Sequence, residues 1–218
     1  HMNKKSILTA GTLALAISTA SSGVYSAELE EIIVTAQKRA ESLQDVPISM
    51  SALSGSTVKD NGIHSFQDLS GYVPNLSIQE NAVNSIITMR GIGIGSNQSF
   101  EQSVGIYVDG VHFGKSRQVR TGLFDIEQLE VLRGPQGILF GKNTLAGAIN
   151  VTTASADVGD ETSGRLDVTQ ESFNGQIIDA HLQGSVTDNL AVRFALRDRT
   201  RDGYINNTMP GASTDNMA

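Results

Sequence analysis

The 218-residue chain has no cysteine and no tryptophan, only four prolines, and fewer cations than anions. Without cysteine there is no disulfide scaffold, no thiol nucleophile and no cysteine-ligated zinc or iron–sulfur centre. Sixteen Lys and Arg against 23 Asp and Glu give a formal charge of −7. Binding to nucleic acid needs clustered cations that release counterions from phosphate, so this balance argues against a nucleic-acid partner. The four histidines (His1, His64, His112, His181) are scattered, and no metal cluster is evident. A Gly-x-Ser-x-Gly elbow is absent, and no Ser, His and Asp grouping or carboxylate pair sits on a motif that would give it a catalytic role. The chain therefore reads as a non-enzyme without a cofactor. Gly91-Ile92-Gly93-Ile94-Gly95 lacks dinucleotide-loop spacing and has no long helix behind it, so it reads as a loop between strands.

Long apolar runs are missing too. The longest uncharged, mainly apolar stretch is ILTAGTLALAI at 7–17; as a helix it would rise about 16 Å, against about 30 Å of bilayer hydrocarbon. It follows Lys4 and Lys5 and precedes small residues, which is the order of a secretory signal peptide. His1-Met2 reads as a cloning remnant, and cleavage after Ser26 or Ala27 is expected. The absence of thiols suits export to an oxidising compartment.

What is present is a 39% hydrophobic, 18% charged chain, rich enough for one packed domain and part of another. IIVTA at 32–36 is a short β-prone run followed by a polar stretch at 37–44, which together read as a flexible arm holding one sticky strand. Residues 46–53 alternate as a strand, and a short helix opens at Ser54 and stops by Asn61-Gly62. Ser65 and Asp68 form a capping pattern for a second helix that ends before Pro74. Strands are expected at 76–80, 86–90 and 104–109, the last closing on an Asp109-Gly110 turn. A helical turn is expected at 124–128, then strands at 129–132 and 147–152. Residues 46–153 thus read as a small α+β domain.

After Thr153 the pattern changes to strands of about ten residues. Leu166 and Val168 alternate with Asp167 and Thr169, and Asn174-Gly175 signals a two-residue hairpin. Ile178, Ala180, Leu182, Gly184 and Val186 share one face, opposite Asp179, His181, Gln183 and Ser185. After a turn at 187–189, Leu190, Val192, Phe194 and Leu196 share a face, opposite Arg193 and Arg197. A soluble sandwich and a transmembrane barrel wall both show this alternation. The signal peptide and the doubly charged polar face favour a barrel with a wet interior.

LEVLRGPQG at 129–137 and LFGKNTLAGAIN at 139–150, with MRGIG at 89–93 and VGIYVDGV at 104–111, resemble the plug-domain motifs of TonB-dependent outer-membrane receptors. EEIIVTAQKR at 30–39 resembles their TonB box. The resemblance implies a division into tag remnant and signal peptide (1–27), box and linker (28–45), plug (46–153) and first antiparallel barrel strands (154–218). In that family an α+β plug fills a barrel of about twenty-two strands. A scarce nutrient, most often a ferric siderophore or other iron complex, is taken up when TonB pulls on the box; cobalamin or a carbohydrate is the alternative cargo. The chain would then be an N-terminal portion, unable to transport alone and ending in an unsettled tail, since an open barrel edge cannot stand in lipid.

The same resemblance implies site residues. Glu31, Ile32, Ile33, Val34, Thr35 and Ala36 would bind the C-terminal domain of TonB by adding an extended, unpaired edge to its sheet; the plain alternative is a first strand of the plug. Arg90, Glu130 and Arg133 would lie at the plug–barrel interface. Ser96, Asn97, Gln98, His112, Lys115, Arg117 and Arg120, in two polar loops, would meet an anionic ferric chelate. Outer-membrane lipid and the remainder of the barrel complete the expected partners. The competing reading from residues alone is a secreted, soluble α+β binding module.

Overall fold

The computed structural model describes residues 32–35, 39, 41–81, 84–93 and 101–203. The signal-peptide reading, Glu31, Ala36, Ser96, Asn97, Gln98 and the last residues of the chain lie outside the described residues.

The longest strand of a five-stranded sheet is the eight-residue β9 (Ile126–Arg133), second from one edge. It pairs antiparallel with β3 (Met50–Ser54) on one edge and with β10 (Gly147–Thr153) on the other. β10 runs parallel to β7 (Val104–Val108), which closes a hairpin with β8 (Val111–His112). Because side chains alternate along a strand, β9 divides its residues between two layers. Leu129 and Val131 enter the main core with Ile106, Ile149 and Val151. Glu130 and Leu132 point the other way, where Leu132 packs with Tyr107, Ala148, Met50 and Phe140.

A second sheet, β4 (Leu76–Glu80), β5 (Ser85–Met89) and β6 (Ile92–Gly93), adds Leu76, Ile78, Ile87 and Met89 to the main core. The helix α1 (Gly55–Asp60) adds Val58, and its N-cap Ser54 accepts a hydrogen bond from the Thr57 amide at 3.2 Å. The Ser65–Asp68 pattern forms as a reciprocal cap: Asp68 Oδ2 accepts from the Ser65 amide (2.8 Å) and Ser65 Oγ from the Asp68 amide (3.3 Å). It opens only a 3₁₀ turn, Asp68–Gly71, because Pro74 leaves no room for a longer helix.

Two local expectations give way to tertiary pairing. Residues 124–128 do not form a helical turn: Asp125 takes φ 49° and the chain enters β9 at Ile126, whose two-sided pairing outweighs weak local preference. The Asn174-Gly175 hairpin is a three-residue turn, Ser172-Phe173-Asn174, with Gly175 already paired to Glu171; Phe173 and Asn174 carry the positive φ.

The last three strands, β11 (Ser163–Glu171), β12 (Gly175–Thr187) and β13 (Leu190–Thr200), form a separate antiparallel sheet. Leu166, Val168, Leu182, Val186, Leu190, Phe194 and Leu196 are all at least half exposed on its outer side. Its polar side is turned toward the α+β body. No helix among the described residues is long and apolar enough to cross a membrane, which leaves strands unaddressed.

The fold depends on close backbone approach at Gly55. A Cβ there would stand 2.0 Å from the Ile126 carbonyl oxygen. Alanine favours a helix by up to about 1 kcal/mol over glycine, but an overlap with fixed backbone costs about 1–3 kcal/mol. Gly55→Ala should therefore lower the urea midpoint at unchanged m-value; an unchanged or raised midpoint would refute this packing.

Candidate functional site

The segment that the sequence offers as a sticky ribbon is held against the body. Strand β1 (Ile33–Val34) pairs antiparallel with β2 (Glu41–Ser42), and the Leu43 amide donates to the Ile32 carbonyl at 3.0 Å. Val34 is 1% exposed. The opposite edge of β1 is taken by two side chains of β9: Gln128 Nε2 donates to the Ile33 carbonyl (2.8 Å), and the Thr35 amide donates to Glu130 Oε1 (2.5 Å). The expected unpaired edge is thus occupied on both sides. A short apolar strand without its own partners buries Val34 where it can, and β9 supplies polar groups at matching spacing.

Glu130 is itself 1% exposed, an unusual place for a carboxylate. It accepts hydrogen bonds from the Thr35 amide and, at 3.5 Å, the Thr35 hydroxyl, from Gln128 Nε2 (3.3 Å) and from Asn150 Nδ2 (2.9 Å). Apart from those to Thr35, its hydrogen bonds stay inside the body. So do those of Arg133, which donates to Ser49 Oγ (3.1 Å), Ser51 Oγ (3.0 Å) and the Met50 carbonyl (3.0 Å), tying the start of β3 to the end of β9. Arg90 is exposed at φ 52° in the turn after β5. With Arg133 it lines an open groove of ≈ 630 Å³ bordered by Pro47, Pro135 and Ile138.

The contacts between the body and β11–β13 use other residues. Arg193 forms a bidentate pair with Asp125 (2.8 and 2.6 Å). Arg197 pairs with Asp179 (2.5 and 3.0 Å), donates to the Leu123 carbonyl (2.8 Å) and lies over the Phe124 ring at 5.4 Å. Lys59 on α1 reaches Asp167 on β11. Between these contacts lies a cavity of ≈ 260 Å³ of mixed lining, with His64, Asp125, Asp179, His181, Arg193 and Arg197 beside Val58, Ile63, Leu123 and Phe124. The polar faces of β12 and β13 were legible as alternation; Lys59 and Asp125, in a helix and a turn with no periodicity to mark them, were not.

Of the two expected ligand loops, residues 112–120 are described. His112 stacks against Tyr107 at 5.1 Å between ring centroids. Ser116–Arg120 forms a 3₁₀ turn, with Gln118 Oε1 accepting from the Lys115 amide at 2.9 Å. Lys115 and Arg117 are exposed. Arg120 instead braces a neighbouring turn, donating to the carbonyls of Asn81 and Asn84 (3.3 Å for the latter) with Glu80 4.0 Å away. These four do not converge on a metal site, and no group of three or more His, Asp or Glu that could hold a metal occurs among the described residues.

His64 lies between the body and β11, with Nε2 3.7 Å from Glu171 Oε1, a carboxylate already paired with Arg199. Burial, and then the Arg199 and Arg197 charges, hold its pKa below the usual 6.5, against the smaller opposing pull of Glu171 and Asp68. The unfolded chain therefore takes up this proton first as pH falls, so folded stability drops below about pH 6.5. His64→Gln should lessen the fall in melting temperature between pH 7 and pH 5; an equal fall in both proteins would refute the assignment.

Residues 42–148 match the TonB-dependent Receptor Plug Domain family. The Pesticin receptor of Yersinia pestis is 32% identical over 167 residues, covering 72% of this chain and 24% of that protein. The Vitamin B12 transporter BtuB of Vibrio vulnificus is 27% identical over 132 residues, covering 59% of this chain and 21% of the transporter. The crystal structure of the ferric yersiniabactin uptake receptor FyuA from Yersinia pestis superposes with a TM-score of 0.67 at 30% identity, over 78% of this chain and 27% of that one. The chain spans about a quarter of the length of the curated relatives it matches. With plug motifs, plug fold and relatives in agreement, the chain belongs to the TonB-dependent receptors, and residues 42–148 are its plug domain.

Proposed function

We propose that this chain is the plug-bearing N-terminal part of an outer-membrane receptor that imports an iron complex by TonB-driven rearrangement of the plug. The observation that carries the reading is the orientation of β11–β13: apolar side chains face away from the plug, and Asp179, His181, Arg193 and Arg197 face toward it. That is the arrangement of a wall with lipid outside and a wet lumen inside. A seam that carries charged pairs between plug and wall suits a plug that must move. Export by the signal peptide at 1–27 to the outer membrane of a Gram-negative cell belongs to this proposal, as does the division into linker, plug (46–153) and wall (154–218).

Iron is favoured by the ferric yersiniabactin receptor, whose likeness runs through both plug and first strands. His112, Lys115 and Arg117, with Ser96, Asn97 and Gln98, are the proposed cargo-facing residues; Arg120 is a brace between Asn81 and Asn84. Arg90, exposed beside the groove, is the proposed contact for further wall. Cobalamin is the second reading, supported by the vitamin B12 transporter relative. Growth of a deletion strain on a ferric chelate or on cobalamin as limiting nutrient separates the two: loss of growth on the iron source alone supports the first.

Residues 31–36 are the proposed TonB-binding segment. A peptide spanning 30–38 should bind the C-terminal domain of TonB. Val34→Pro, which removes a backbone donor from the pairing strand, should weaken that binding by about tenfold or more. Equal titration curves for the two peptides would rule out strand addition.

A further inference from the structure

We propose that Gln128 and Glu130 of β9 form a latch that imitates a neighbouring strand and keeps the segment 32–35 from its partner; this rests on the reading of that segment as TonB's handle. Successive residues of a strand present their backbone groups to opposite edges. Ile32, whose carbonyl accepts from the Leu43 amide, faces β2. Ile33 and Thr35 therefore face the other way, and that second edge is the one through which an added strand would pair. Both of its groups are already engaged: the Ile33 carbonyl by Gln128 Nε2 and the Thr35 amide by Glu130 Oε1.

Gln128 and Glu130 are two residues apart on β9, so their side chains project from one face at nearly the repeat of a paired strand. One supplies a donor and the other an acceptor, as a backbone would. Gln128 Nε2 also donates to Glu130 Oε1, which joins the two into one unit, and Asn150 Nδ2 holds the second carboxylate oxygen. No lysine or arginine forms an ion pair with Glu130 among the described residues. A carboxylate 1% exposed and satisfied only by hydrogen bonds depends on each of its donors. Releasing the segment removes both of those that Thr35 donates, the shortest of the four among them. The latch therefore favours the docked state through Glu130, and a partner gains the strand only by displacing it.

The absence of cysteine makes the test direct, since an introduced thiol is the only one in the chain. In the full chain, Val34→Cys reports docking by its rate of thiol labelling, and Ala148→Cys, fully buried beside Leu132, reports whether the plug itself stays folded. Adding Glu130→Ala should speed labelling at position 34 by about tenfold or more, the scale of one hydrogen bond to a charged group, with position 148 still shielded. An unchanged rate at position 34 overturns the latch. Should Glu130→Ala expose position 148 as well, Thr35→Pro decides: it removes the same hydrogen bond from the other side and leaves the core intact. Faster labelling at position 34 then upholds the latch, and an unchanged rate overturns it. Binding of the TonB C-terminal domain to the full chain separates the two claims. Tighter binding to the Glu130→Ala chain supports both. Faster labelling with no TonB binding to either chain leaves the latch standing and removes the handle reading. Equal binding with unchanged labelling does the reverse.

Discussion

Strand β9 is paired on both edges and buried on both faces, and most of what the molecule does is organised around that constraint. A strand so placed must satisfy every backbone group through its neighbours and send alternate side chains into two different layers. On one side Leu129 and Val131 close the main core. On the other, Leu132 seals a smaller cluster, while Gln128 and Glu130 meet the first described strand of the chain. Arg133, at the end of the same strand, ties down the entry to β3. The core, the register of the sheet and the hold on the N-terminal segment thus share one element. A slip of one residue in β9 would exchange Glu130 for a core leucine and undo all three.

The seam between the plug and β11–β13 is built on a different principle. Its polar contacts include the Arg193–Asp125 pair, the Lys59–Asp167 pair and the Leu123 carbonyl, around a cavity lined by charged and apolar side chains together. Bidentate pairs fix orientation well, and their strength falls steeply once geometry or hydration changes. The plug interior, by contrast, is closed mainly by aliphatic side chains with Phe66 among them, so the core and the seam are held by different kinds of force.

The sequence was most informative where periodicity is strong. The strand at 50–54 and those of the terminal sheet follow from alternation, those expected at 76–80, 104–109 and 147–152 form within a residue of their bounds, and the short helix after Ser54 follows from its cap. It was least informative at 124–128, where a locally helix-compatible stretch becomes the start of β9 because two neighbours pair with it. It also left open which charges would meet. Glu130 and Arg133 look like interface residues in a motif; Arg133 spends its hydrogen bonds within the plug and Glu130 divides its own between the plug and Thr35, whereas Asp125 and Lys59 meet the terminal sheet.

Composition, spacing and motif order determined the class of this protein: an acidic, cysteine-free chain with plug signatures followed by strands that alternate apolar and polar residues. Those features are local, set by the two-residue period of a strand and by turn chemistry, and so can be read along the chain. Only the tertiary structure decided that the ribbon at 32–35 is docked, and that a buried carboxylate nearly a hundred positions away holds it. Burial and hydrogen-bond partnership are properties of neighbours in space, and a chain read in order does not contain them.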